Sequence, residues 1–159
     1  MKTYGSAGAK GAAMESLDLS RRPPRGPRQP LAGLDLFMLA RTVDKLRATL
    51  PGGSLGAYQI AGFSARLLER LGISEDDMRD AVARADSDEA VAAWVSERSD
   101  PARYPEINAA MERRTIGDRL GDPAFVAKYP IAPSLPPEMP LLDFLSTDDA
   151  DTFPESRMR

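Results

Sequence analysis

Proline clusters divide this chain into segments that can form helices and segments that cannot. The stretch "RRPPRGPRQP" (residues 21–30) and a second one, residues 122–140, are rich in proline. Proline lacks an amide hydrogen and pushes the preceding residue out of the helical region, so neither stretch can be a continuous helix. Leu17, Leu19 and Leu31 are apolar anchors beside the first stretch. We therefore expect both stretches to lie as straps along the protein surface.

The chain between the straps has helical periodicity. Residues 34–50 carry a leucine and valine stripe that ends at Pro51, with Asp35 as a candidate N-cap. At 100° per residue, the members of this stripe fall on one face. They are Leu36, Leu39, Val43, Leu46 and Leu50.

Further helices have start and stop signals of their own. Ser64 is a candidate cap of "FSARLLERLG", and Gly72 stands where a helix commonly ends in the left-handed conformation. Ser74 is a candidate N-cap of the helix in "SEDDMRDAVARA". Asp86 or Ser87 is a candidate N-cap of the helix that follows them, "DEAVAAWVSER". Two more helices are predicted, one beginning near Pro105 and one in "LLDFLSTDDADTF".

These signals predict a mainly α fold, a compact bundle of five to seven short helices with proline-rich N- and C-terminal straps. Residues 53–62 contribute at most one minor short strand. The length of 159 residues suits one domain. We expect a single helical domain over residues 15–153 that includes both straps, with flexible ends at residues 1–14 and 154–159.

The composition excludes several kinds of chemistry. The chain has neither cysteine nor histidine, so it can have no disulfide, no thiolate nucleophile, no Ser-His-Asp triad and no His- or Cys-ligated metal. The acidic run "STDDAD" lacks the glycine and the distal glutamate of an EF-hand. Helix capping and solvation account for such acids. We therefore expect no metal and no cofactor, and acid–base chemistry falls to Asp, Glu, Lys or Tyr.

The charge distribution and the hydropathy of the chain limit the classes of partner that we expect. The chain contains no apolar run typical of a signal peptide or of a membrane span, so a cytoplasmic protein is expected. Residues 1–50 hold nine Lys or Arg and four Asp or Glu, and residues 51–100 hold five and ten. This distribution favours charge pairing within the chain over nucleic-acid binding, which usually needs a basic domain. A protein partner and a small anionic metabolite remain as alternatives, and the oligomeric state stays open.

The order of several motifs resembles DUF5069, a bacterial family of domains of unknown function. The chain has "RGPR", then "DK" within the first helix, a G-x-Y turn, and "RLLERLGI". The likeness extends over roughly residues 17–150. It implies no activity, and it draws attention to six positions. They are Arg25, Arg28, Asp44, Lys45, Tyr58 and Arg66.

Three interpretations of the arginine-rich strap stay open. In the first, Arg41, Asp44, Lys45 and Arg47 form a solvated face of the first helix and pair among themselves. In the second, Arg25 and Arg28 converge with Lys45 or Arg41 on an anion, since guanidinium groups match carboxylate or phosphate oxygens. In the third, the two strap arginines bind the carboxylates of the acidic helix and hold the strap to the fold. The acids considered for this role are Asp76, Asp77 and Asp80.

Two functional hypotheses follow from these interpretations. The first is a non-enzymatic helical module that binds a partner or ligand. The second is a small enzyme or binding protein for an anionic or polar metabolite. In it, Asp44, Lys45 and Tyr58 handle protons, and Arg25, Arg28, Arg41 and Arg66 bind the substrate. A shared pocket for Asp44, Lys45 and Tyr58, with a perturbed lysine or aspartate pKa, would favour the second.

Overall fold

The computed structural model describes residues 14–154. Within this range the chain forms seven α-helices and three 3-10 helices, and it has isolated β-bridges but no β-strand. The prediction of a mainly α bundle of short helices is therefore confirmed. The two ends that the sequence predicts to be flexible lie outside the described residues, except for Met14 and Pro154.

The seven α-helices contain between 6 and 12 residues each. None of the helices described is long and apolar enough to cross a lipid bilayer. The 3-10 helices are Pro101–Arg103, Ile116–Asp118 and Ala132–Ser134. The α-helices are α1 (Leu39–Arg47), α2 (Phe63–Leu71), α3 (Glu75–Arg84), α4 (Asp88–Glu97), α5 (Tyr104–Glu112), α6 (Pro123–Lys128) and α7 (Leu141–Thr152).

Local signals set several helix ends as predicted. The Ser74 hydroxyl accepts a hydrogen bond from the Asp77 amide at 3.1 Å and caps α3. The Ser87 hydroxyl does the same for α4 through the Ala90 amide, also at 3.1 Å. Gly72 ends α2 with φ of 72°, a conformation that glycine adopts without a steric penalty.

Two predicted caps are wrong. Asp35 does not cap α1, which begins after Met38, and the Met38 amide donates instead to the Pro27 carbonyl of the strap at 2.7 Å. Ser64 lies inside the first turn of α2, where its buried hydroxyl accepts a hydrogen bond from Thr42 at 2.9 Å.

Helix α1 is the centre of the bundle. Its leucine and valine stripe is buried against α2 and α3, as predicted, but so is its polar side. Arg41, Asp44 and Lys45 have exposed fractions of only 2%, 4% and 7%. The interpretation of these residues as a solvated face is therefore wrong, because the N-terminal strap supplies a partner for Asp44 and the last helix supplies one for Arg41. One of the expected pairs within the helix is present, since Arg47 Nη1 lies 3.9 Å from Asp44 Oδ1.

The N-terminal strap is anchored as the sequence predicts. Leu17, Leu19 and Leu31 are all buried. The Leu19 amide donates to the Ser54 carbonyl at 2.8 Å, and the Ser54 amide donates to the Leu17 carbonyl at 3.0 Å. Residues 53–62 are thus an extended crossing bound to the strap, and they form no strand.

The C-terminal strap contains more helix than its prolines suggest. Pro123 occupies the first turn of α6, where its missing amide hydrogen is not needed, and Asp122 caps the helix through the Ala124 amide. Residues 122–140 are therefore not irregular throughout. Phe125 packs with Ile116 and Phe144 in a second apolar cluster, so the strap lies on the bundle as expected.

Gly56 offers a test of the strap contact. Its φ is +59°, and a Cβ built there would lie 2.8 Å from the Leu19 carbonyl oxygen. Gly56→Ala should therefore lower the free energy of unfolding by about 1–3 kcal/mol. Gly121→Ala is the matched control, since a Cβ there meets nothing within 4 Å. Urea denaturation of both variants measures the difference, and equal midpoints would contradict the packing of the strap on this loop.

Candidate functional site

A cleft of about 760 Å³ opens between α1, the 53–62 crossing, α2, α6 and α7. We call it the central cleft. One part of its lining is apolar and largely aromatic, contributed by Met38, Phe63, Phe125, Leu141, Phe144 and Leu145. Another part is basic, contributed by Arg41, Lys45, Arg66, Arg114, Arg119 and Lys128. Ligand pockets commonly combine apolar walls with a few placed polar groups in this way.

Lys45 lies in the wall of the central cleft with its side chain almost fully buried. Among the described residues, its amine has neither a hydrogen-bond nor an ion-pair partner. Burial lowers the pKa of Lys45, the positive charges of Arg41 and Lys128 also lower it, and Asp149 acts in the opposite direction, so that the pKa is about 7. At neutral pH a large fraction of this amine is consequently uncharged.

Arg41 and Asp149 form a buried ion pair beside Lys45. Arg41 Nη1 donates to Asp149 Oδ2 at 2.7 Å, and Nη2 donates to Oδ1 at 3.0 Å. The Tyr58 hydroxyl also donates to Asp149 Oδ1, at 2.7 Å, and the guanidinium of Arg41 lies 5.5 Å from the Tyr58 ring centroid. The Arg41 Nε is buried and has no hydrogen-bond partner within residues 14–154.

Tyr58 and Asp148 complete the titratable groups near Lys45. Burial raises the pKa of Tyr58 above its usual range, and the neighbouring Asp149 carboxylate adds to the effect. Burial likewise raises the pKa of Asp148, assisted by the nearby charges of Asp149 and Asp151. Both side chains line the central cleft, and both retain their protons more readily than they would in water.

The basic lining is only partly neutralised. Arg119 is paired with Asp122 at 3.0 Å, and Arg114 is 3.6 Å from Asp118. No acidic side chain in the described range pairs with Arg66, Lys128 or Lys45. Lys128 donates to the Gln59 side-chain oxygen at 3.3 Å, a neutral partner. The cleft therefore carries an excess of positive charge next to its aromatic wall.

Arg25 of the strap is bound by two carboxylates outside the cleft. Its Nη2 is 2.9 Å from Asp44 Oδ1, its Nη1 is 2.7 Å from Asp88 Oδ2, and its amide donates to Asp44 Oδ2 at 2.8 Å. Burial opposes the charge of Arg25, but the hydrogen bonds to Asp88 and Asp44 outweigh it and raise the pKa of Arg25. Asp44 is therefore engaged in holding the strap.

Arg28 makes a second, more exposed contact of the same kind. Its Nε donates to Glu112 at 3.1 Å, and its Nη1 donates to Asp143. The prediction that Asp76, Asp77 or Asp80 would hold the strap is wrong. Asp76 pairs with Arg79 on its own helix, and the other two are exposed.

The structure divides the residues that the sequence singled out into two groups. Lys45, Tyr58, Arg41 and Arg66 line the central cleft. Asp44, Arg25 and Arg28 lie outside it and hold the strap. Across residues 14–154, no three acidic side chains converge as they would around a metal ion.

Sequence reasoning missed two acids of the site. "STDDAD" was interpreted as capping and solvation, yet it forms the second half of α7, where Asp149 is buried and Asp148 lines the cleft. The four-residue spacing of Leu141, Leu145 and Asp149 on one helix was the signal that could have placed Asp149 toward the interior.

The two strap arginines should differ in their effect on stability. Arg25→Gln removes the guanidinium that pairs with buried Asp44 and should lower the free energy of unfolding by about 2–3 kcal/mol. Arg28→Gln breaks an exposed contact and should cost less than about 1 kcal/mol. Urea denaturation of the two variants makes the comparison, and a loss of equal size for both would contradict the assigned burial.

The buried amine of Lys45 predicts a pH-dependent stability. Between about pH 7 and the ordinary lysine pKa near 10.4, the unfolded chain binds a proton at Lys45 that the folded chain has released. Stability therefore rises with pH in this window. Lys45→Met should be more stable than wild type at about pH 6, and its advantage should shrink by about pH 9. Urea denaturation of both proteins across that pH range measures the difference between their free energies of unfolding. A difference that does not change with pH would contradict the prediction.

Comparison with known proteins identifies the family. The family described as "Domain of unknown function (DUF5069)" matches residues 21–133, a shorter span than the resemblance in the sequence suggested. The match includes the strap arginines, Arg41, Lys45 and Tyr58, and it ends before α7. No curated protein matches the chain. Since the matched residues make up well over half of the sequence, the protein belongs to the DUF5069 family.

Proposed function

We propose that the protein binds a small anionic molecule with an apolar portion in the central cleft. The observation that carries this proposal is the buried, unpartnered amine of Lys45 beside an aromatic wall, in a cleft with excess positive charge. Burying a polar group without a partner is unfavourable, so such a group is commonly found where a ligand completes its hydrogen bonds.

The cleft offers separate places for the two parts of such a ligand. Phe63, Phe125 and Phe144 would contact the apolar portion through their rings. Arg66 and Lys128 would attract the anion, since no described acid neutralises them. The cleft would be specific for ligands that have both an anionic group and an apolar portion. A neutral aromatic compound lacks the charge that the basic residues attract, and a short anion lacks the apolar surface that the phenylalanine rings contact.

An enzyme is the second candidate, and the state of Lys45 favours it. An amine that is uncharged near neutral pH can act as a base or a nucleophile. Tyr58 is less suited to removing protons, since its raised pKa and its hydrogen bond to Asp149 keep it protonated. Asp44 does not take part in this proposed reaction, because it pairs with Arg25 of the strap and lies outside the cleft.

A thermal-shift series tests the binding proposal. Benzoate combines an anion with a ring, benzyl alcohol has the ring alone, and acetate has the anion alone. Benzoate at about a hundred times its Kd should stabilise the protein by about 2.7 kcal/mol. For a domain of this size that corresponds to a rise in Tm of about 5–10 °C. The other two compounds should give much smaller shifts.

A matched pair of variants tests where the anion lies. Replacing Arg66 and Lys128 by glutamine should weaken benzoate binding by about tenfold, the equivalent of 1.4 kcal/mol. Arg70→Gln is the control, since Arg70 is exposed on the same helix as Arg66 and lies outside the cleft. If benzoate, benzyl alcohol and acetate shift the Tm equally, or if Arg70→Gln weakens binding as much as the cleft variant, the proposal fails. A wider metabolite screen would then refine the ligand.

A further inference from the structure

We propose that Lys45 captures an anionic aldehyde or ketone in the central cleft as an imine. This inference rests on the proposed function and names the chemical class of ligand. It starts from the position of the amine, which is buried, has no partner in the described part of the chain and lies in the wall of a cleft rather than inside the core. A reacting carbonyl carbon could therefore reach it from the cleft.

The surroundings of Lys45 suit a nucleophilic amine. Lysine nucleophiles are activated by desolvation in an apolar pocket or by a neighbouring cation. Lys45 has both, because its side chain is buried and the guanidinium of Arg41 is nearby. Asp149 does not neutralise the amine by pairing with it, since both of its oxygens accept hydrogen bonds from Arg41 and one of them also accepts from Tyr58.

The reaction is balanced without any further reactant. The Lys45 nitrogen attacks the carbonyl carbon and forms a C–N bond, and the carbonyl oxygen gains a proton as the nitrogen loses one. The C–O bond of the resulting carbinolamine then breaks, the hydroxyl group takes up a proton and leaves as water, and the nitrogen lone pair forms a C=N bond. The protonated imine formed in this way returns a proton to the group that supplied it, which leaves the neutral imine. Asp148 is the residue placed to protonate the departing hydroxyl, because it lines the same cleft and its pKa is raised by burial.

Reductive trapping tests this proposal in the wild-type protein. The probe is 4-formylbenzoate, which has an aldehyde, a ring and a carboxylate, and cyanoborohydride converts any imine into a stable secondary amine. The chain has only four lysines, Lys2, Lys10, Lys45 and Lys128, so peptide mass spectrometry assigns the product directly. Among the lysines, we expect modification of Lys45 to be at least about tenfold faster than that of exposed Lys128 near pH 7. Equal labelling of all lysines, or none at Lys45, would overturn the proposal.

Two controls test whether the reaction takes place in the central cleft. Benzoate, which has no carbonyl carbon that forms an imine, should slow labelling of Lys45. Asp148→Asn, checked for folding by circular dichroism, should slow the reaction at Lys45. Labelling of Lys45 that benzoate does not slow would show a reactive amine outside the ligand site, against the proposal.

The outcomes separate this inference from the proposed function. If benzoate raises the Tm but 4-formylbenzoate leaves Lys45 unmodified, imine capture is wrong and anion binding stands. If benzoate gives no shift and Lys45 is not labelled, both are wrong.

Discussion

The buried ion pair between Arg41 and Asp149 is the interaction on which the site depends. It joins the central helix α1 to the last helix α7 across 108 positions of sequence, and the Arg41 Nη1 also donates to the Arg25 carbonyl of the strap at 3.3 Å. Breaking a buried pair leaves an uncompensated charge, which is strongly unfavourable. One guanidinium thus connects the strap, the bundle centre and the wall of the cleft.

This pairing also explains why one lysine of α1 differs chemically from its neighbours. Three charged residues of α1 are buried, and within the described part of the chain two of them have oppositely charged partners: Arg41 pairs with Asp149, and Asp44 pairs with Arg25. Lys45 is left buried without an acid, so its amine is destabilised in the charged form.

The helices and several of their ends could be predicted from local patterns in the sequence, whereas the ion pairs of the strap and the central cleft could not. The leucine stripe of α1, the Ser74 cap and the Gly72 stop are set by residues within one or two turns, so the sequence reveals them directly. The partners of Arg41, Asp44 and Arg28 come from positions tens of residues away, and periodicity carries no information about them. The same limit explains why Asp35 and Ser64 were mistaken for caps. The resemblance to the family points to Lys45 and Tyr58, whereas only the folded structure shows that Asp148 lines the cleft.

A double-mutant cycle on Arg41 and Asp149 tests the central claim most directly. Arg41→Met, Asp149→Leu and the double variant would be compared with wild type by urea denaturation at neutral pH. The structure predicts that each single variant loses about 3–5 kcal/mol and that the double variant loses much less than their sum, with a coupling energy of at least about 2 kcal/mol. Losses that simply add would show that the two residues do not interact, and the charge arrangement proposed for the cleft would then have no basis.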